Sequence, residues 1–383
     1  MKITIGIPTI AGREGYLRHC LQTCVSQDDT DLDILVSDNS AGNAEGTVRA
    51  FSDPRIRYIR PPHYLPMSRH WDFMLNHMTG DLVTVIGDDD GMMPNALLTV
   101  RKIISTYGLK PLQHTIAHYH WPDIDDRKRR NTFWFHHLPN TEINVVPSHQ
   151  YLSRLSKGEL GYIDGPMVYH NFIPRRLLCC LQRNGFIFHR SSPDVYSAVT
   201  IALNSVDFIS TGHVLTIAGE GVKSNGAQCR DGGKEAEKFI KDAVVVEDKV
   251  YFHAHAVALS TLDAIFEASF RYDRPDIRAT VEISEFYALA VIECLAVRNP
   301  KVAGARLRRI LRDVVQLGIA GKVLRAVARR IGRRALSGIR SLKHDKLYWR
   351  TPRNLPANVG DVFRASIFLA NFLHGSRTEP PVP

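Results

Sequence analysis

Over roughly its first 100 residues the chain alternates between short apolar runs, each closed by a polar cluster, and stretches with helical spacing. Lys2-Ile3-Thr4-Ile5-Gly6-Ile7-Pro8-Thr9 comes first, followed by Leu17, Cys20, Leu21 and Cys24 at helix spacing. Leu32-Asp33-Ile34-Leu35-Val36-Ser37 runs into Asp38-Asn39-Ser40. A helix-like stretch around Val48 and Phe51 precedes Arg55-Ile56-Arg57-Tyr58-Ile59, and a helix is expected from about Ser68 to His77. Thr79-Gly80-Asp81 then introduces Leu82-Val83-Thr84-Val85-Ile86, which ends on Gly87-Asp88-Asp89-Asp90. Strands alternating with helices predict a parallel sheet with right-handed crossovers. Ligands of such sheets bind at the carboxyl ends of the strands, where strand order reverses. Pro8-Thr9, Asp38-Asn39-Ser40 and Asp88-Asp89-Asp90 all fall at those ends, so three polar clusters converge on one edge.

Three successive carboxylates call for a counter-charge, and hard oxygen ligands of this kind suit Mg²⁺ or Mn²⁺, whose open positions substrate phosphates fill. The plainer reading of the same residues is an exposed acidic turn.

The ordered set Ile5-Gly6-Ile7-Pro8-Thr9, Val36-Ser37-Asp38-Asn39-Ser40, Thr79-Gly80-Asp81 and Gly87-Asp88-Asp89-Asp90 with Pro94 resembles a family 2 glycosyltransferase. The match is good over residues 1–100 and thinner to about 225. The resemblance implies a GT-A fold: an α/β, Rossmann-like, mixed and mainly parallel sheet flanked by helices. It also implies that Pro8 and Thr9 run under a nucleotide, that Asp38, beside Asn39, hydrogen-bonds the base, and that the Asp-x-Asp motif falls on Gly87-Asp88-Asp89. Asp89 is then the metal ligand and Asp88 the ribose or metal partner. Gly87 replaces the first carboxylate, so Asp90 or water completes the shell. A uridine donor and an inverting reaction are what the family favours, and the implied setting is surface polysaccharide or glycolipid synthesis.

Transfer from a nucleoside-diphosphate sugar expels a diphosphate whose charge grows as the bond breaks, and a divalent cation stabilises it there. Arg13 and Arg69 are placed to add donors to that diphosphate, against the plainer reading of solvated surface charges. The acceptor hydroxyl needs a base. In the segment matching the family's, Ser191-Ser192-Pro193-Asp194-Val195-Tyr196 leads into a helix, and Asp194 is the candidate base; an Asp in a first turn also simply suits the helix dipole. Tyr169-His170-Asn171 is a candidate pocket wall, and Ser224-Asn225-Gly226-Ala227 a candidate covering loop. His114, His118 and His120 alternate, but no carboxylate or Cys pattern completes a zinc site. A nucleotidyltransferase would need a Gly-rich loop with a downstream Lys, which Ala11-Gly12-Arg13-Glu14-Gly15 matches only faintly. A non-catalytic nucleotide- or glycan-binding module is the other alternative, supported by the missing carboxylate at Gly87.

The 383 residues leave room for a catalytic domain over 1–225 and a helical carboxyl-terminal region over 226–383. Six cysteines form no CxxC pair, and the adjacent Cys179-Cys180 suits a reduced, buried role, which fits the cytosol. The amino terminus opens on the first strand with no room for a signal peptide. No run reaches the roughly 18 apolar residues of a membrane span. Residues 301–343 hold thirteen Lys and Arg against one acid, Asp313, and the whole chain is only +10, so this stretch carries more than the entire excess. Its apolar residues recur at helical spacing, which reads as an amphipathic helix at the inner face of a membrane or a helix packed on the catalytic domain. Such a stripe has no purpose in a nucleic-acid arm, so no nucleic-acid partner is expected.

Overall fold

The computed structural model describes residues 1–40, 42, 44–224, 251–252, 256–297, 299–341 and 352–375, with the side chains of 333–341 excepted. Residues 225–227 of the expected covering loop, Cys229 and the tail from 376 lie outside the described residues.

The first sheet follows the expected alternation: β1 (Ile3–Thr9), α1 (Glu14–Val25), β2 (Leu32–Asp38), α2 (Ala44–Arg49), β3 (Ile56–Ile59), α3 (Met67–His77) and β4 (Leu82–Val85). Strand order is β3-β2-β1-β4-β9, parallel except for the edge strand β9 (Ile173–Pro174). The chain moves outward from β1 to β3 and then returns to the other side of β1, so order reverses between β1 and β4. All seven β2 residues and all four of β4 are buried, because helices cover both faces; mainly apolar runs result. Leu17, Cys20, Leu21 and Cys24 turn the buried face of α1 to this sheet.

A second, mixed sheet orders β11-β7-β6-β10-β5, with β8 also on β10. It comprises β5 (Gly91–Met92), β6 (Leu112–His120), β7 (Thr132–Phe135), β8 (Ile143–Pro147), β10 (Asp207–Glu220) and β11 (Arg353–Asn354). Helices α4 (Ala96–Tyr107), α5 (Ser148–Ser156), α6 (Arg175–Leu181) and α7 (Pro193–Leu203) lie among these strands. Leu178 and Leu181 turn the inner face of α6 to the core and leave Cys179 and Cys180 exposed, contrary to the buried role expected for them.

Beyond residue 256 the described chain is mostly helical: α8 (Val257–Arg271), α9 (Pro275–Thr280), α10 (Ile283–Leu295), α11 (Pro300–Gln316), α12 (Ala320–Ser341) and α13 (Val362–Gly375). Ile310, Val314, Val323 and Ala326 join the same core as α10. The division expected at residue 225 is crossed by the last elements. Residues Leu355, Val359, Val362, Ala365 and Leu369 enter the core of α1 and the first strands, and β11 pairs with β7. No described helix is long and apolar enough to cross a membrane.

Candidate active site

The carboxyl ends of β1 and β4 meet at the strand-order reversal, and their side chains bond there. Thr9 Oγ1 donates to Asp88 at 2.6 Å. Arg13, which precedes α1, donates through Nε to both Asp88 oxygens at 2.7 and 2.9 Å, and its Nη2 lies 2.5 Å from Asp88 and 3.1 Å from Asp89. Burial alone would lower the Arg13 pKa, but the two carboxylates outweigh it and raise it, so the guanidinium stays charged. Arg13 also donates to the Lys223 carbonyl, and Ser224 donates to Asp89 Oδ2. Trp121 Nε1 holds the Asp89 carbonyl at 3.0 Å.

Asp90, expected beside Asp89 as a ligand, is committed to the fold. The Asp90 N–H closes a turn on the Gly87 carbonyl, and this turn brings the third carboxylate back to the Gly87 amide. Its Oδ2 accepts from the Gly87 N–H at 2.5 Å and Tyr169 OH at 2.6 Å, and its Oδ1 from the Gly219 N–H at 2.7 Å. Burial, reinforced by the Asp89 charge, pushes Asp90 up to about 8.

At the end of β2, Asp38 is fully buried. It accepts from Ser40 N and Oγ at 3.1 and 2.6 Å, from Tyr58 OH at 2.9 Å and from Arg60 at 3.5 Å. Asn39 clamps Leu65 through both its backbone groups, at 2.7 and 2.9 Å. Pro8 is half-buried beside Thr9. Arg69 is engaged elsewhere: it reaches Asp72 and the Phe188 carbonyl at 3.2 Å each and stacks on Phe186 with 3.6 Å to the ring centre.

Asp194 stands in the first turn of α7, behind Pro193. Burial raises its carboxyl, against the Val195 amide and a hydrogen bond with Tyr162. Tyr169 OH donates to Asp90, and burial with the charges of Asp90, Asp89 and Asp194 pushes its phenol up. The alternating histidines do not converge on an ion. His114 bonds the Thr115 and His170 carbonyls at 2.8 and 3.0 Å, His118 stacks on Trp134 at 3.9 Å, and His120 meets Thr132 at 2.7 Å. Trp121 and Tyr162 were not singled out from sequence. Only their aromatic character, ahead of a polar turn in each case, could have marked them.

Residues 4–162 match the model of Glycosyl transferase family 2. Over that stretch the chain is similar to family 2 glycosyltransferases. The glycosyltransferase GlyA of Streptococcus pneumoniae serotype 4 is 32% identical to it over 109 residues, 28% of this chain and 15% of that protein. The chain therefore spans only a small part of that relative. Among solved structures, S. aureus TarS 1-349 in complex with UDP-GlcNAc has a TM-score of 0.46 at 13% identity, over 83% of this chain and 92% of that one. The mannosyltransferase PcManGT from Pyrobaculum calidifontis, in complex with GDP-Man and Mn²⁺, has a TM-score of 0.39 at 16% identity, over 85% and 84%. Asp38, Asn39, Asp88, Asp89 and Arg13 lie at the carboxyl edge of the first sheet.

Proposed function

We propose that the protein transfers a sugar from a nucleoside-diphosphate sugar, with a uridine nucleotide favoured, to a hydroxyl of a glycan or glycolipid in surface polysaccharide synthesis. The observation that carries this reading is the cluster of Thr9, Arg13, Asp88 and Asp89 at the strand-order reversal of a family 2 domain, with Asp194 across Tyr169. The donor set fits a divalent cation, because two hard carboxylates at the end of a rigid strand share one counter-cation, the Arg13 guanidinium. Asp89, with Asp88, would hold Mg²⁺ or Mn²⁺, which when bound neutralises the charge developing on the diphosphate. Asp90 we assign a positioning role, since it fixes the turn that aims its neighbours.

Pro8, Thr9, Asp38 and Asn39 form the floor on which base and ribose lie. Asp38 reaches a base only by exchanging one of its present donors for the base's own N–H. Arg13 reaches the diphosphate by giving up part of its present bonding to Asp88, Asp89 and the Lys223 carbonyl. We assign Arg69 to the wall around Phe186 and Phe188 and give it no contact with the diphosphate. Asp194 accepts the proton of the acceptor hydroxyl as that oxygen attacks the sugar carbon from the face opposite the diphosphate, giving inversion. Helices α11 and α12 would hold the enzyme against an anionic membrane carrying the acceptor.

A thermal-shift screen of nucleoside diphosphates, with and without Mn²⁺, tests the donor site. One nucleotide should raise the midpoint only with metal and fail to do so in Asp89→Ala, because a ligand of the native state stabilises by mass action. No shift with any nucleotide would leave a non-catalytic module as the better reading.

A further inference from the structure

We propose that His136, His137 and Asp164 form a second divalent-metal site, of Zn²⁺ type, separate from the Asp88–Asp89 pair. Successive residues of a strand point to opposite faces. Here the chain bends just after β7, and the two imidazoles meet edge to face with ring centres 4.6 Å apart. Asp164, at the end of the single 3₁₀ turn Tyr162–Asp164, comes to 3.0 Å from His137 Nε2 through its Oδ1. One ligand atom from each of the three lies within 4.8 Å of the others. Ligand atoms around one Zn²⁺ are about 3–4 Å apart, given bonds of about 2.0–2.2 Å, so small rotations of the rings close the shell.

The carboxylate is already oriented as metal-ligating carboxylates are, with its other oxygen held by an outer partner. The Gly161 N–H donates to Asp164 Oδ2 at 2.7 Å and leaves Oδ1 toward the histidines. Both His137 and Asp164 border a polar cavity of about 330 Å³, also lined by Gln113, Asn140, Glu142 and Asn144, where water or a ligand group can complete the coordination. Two imidazoles with one carboxylate suit Zn²⁺, Co²⁺ or Ni²⁺ better than the hard cations that Asp88 and Asp89 suit. The same 3₁₀ turn carries Tyr162, which hydrogen-bonds Asp194. An ion on Asp164 would therefore steady the turn that touches the acceptor side, a consequence that rests on Asp194 being the base; the metal site itself does not.

The test uses the full chain, stripped with a chelator, titrated with Zn²⁺ by calorimetry and with Co²⁺ by visible absorption. One Zn²⁺ is expected to bind to the parent and to Asp89→Ala alike. His136→Gln and Asp164→Asn should each weaken it by more than the roughly 10–100-fold that loss of an outer-shell partner costs. Far-ultraviolet dichroism identifies any variant that fails to fold, and the other then decides. No uptake by the parent would overturn the proposal. So would uptake unchanged in both variants, or a Co²⁺–thiolate charge-transfer band, which would assign the ion to the exposed Cys179 and Cys180. Nucleotide binding with metal at Asp89 can succeed or fail independently of these outcomes.

Discussion

A methyl group at Gly219 would run into the Asp89 carbonyl and carbon and into the Trp121 indole. Because the obstacle is backbone, it cannot swing aside. Gly219→Ala should therefore displace the Asp88–Asp89 turn while deleting no functional group. The expected outcome is loss of nucleotide-dependent thermal stabilisation with the fold retained by dichroism. Asp194 is tested by charge instead of shape. As the base it must be ionised, and burial raises its pKa, so kcat/KM should rise with pH through a limb lying above the ordinary Asp value of about 3.9. Asp194→Asn should remove that limb and cost about 10²–10⁴-fold in transfer while donor binding persists. Asp194 is the second residue of its helix and not the N-cap, so a residue serving only the helix dipole would lose about 0.3–1 kcal/mol of stability on the change with transfer retained, and full activity would exclude the base role.

At the scale of elements, the segment leading into α7 is fastened to α8 by a buried ionic cluster. Arg190 lies 2.6 Å from Asp263 and 2.9 Å from Glu267, with all three side chains less than a tenth exposed. Removing Arg190 leaves buried Asp263 without this ion-pair partner, while Glu267 keeps Arg271, so Arg190→Ala should cost about 3–5 kcal/mol, read as a lower urea midpoint. Such long-range pairings also mark the limit of sequence reading. β1, β2 and β4 were legible because burial on both faces leaves short, mainly apolar runs closed by polar clusters. β6 was not: Leu112-Gln113-His114-Thr115-Ile116 buries polar side chains that bond within the sheet, so no apolar period survives. The candidate donor residues were legible as clusters at strand ends. Their partners were not, since Arg13 meets Asp88 75 residues later and local pattern carries no trace of that pairing. Asp90 is a similar case, as three adjacent acids look equivalent until the turn folds one away from the others.

For the whole molecule, the basic segment packs one side on the helical core and leaves apolar and basic side chains outward. Ile310, Val314, Val323 and Ala326 are buried on the helical core, yet Val315 is 71% and Leu324 72% exposed. On each helix these exposed apolar positions accompany exposed Arg308, Arg312, Lys322 and Arg325. Binding to anionic vesicles is the expected result, weakening with salt because each Lys or Arg near such a surface contributes about 1 kcal/mol. Flotation with neutral and anionic liposomes checks this, and equal recovery from both would leave these helices as packing elements only. The last described helix bears on how the protein is made. Since α13 closes the core that α1 opens, the emerging polypeptide leaves the ribosome with Leu17 and its neighbours lacking their final cover. At about 5–20 residues per second, that interval lasts roughly 20–70 s, long enough for a chaperone to be the first partner of the amino-terminal end.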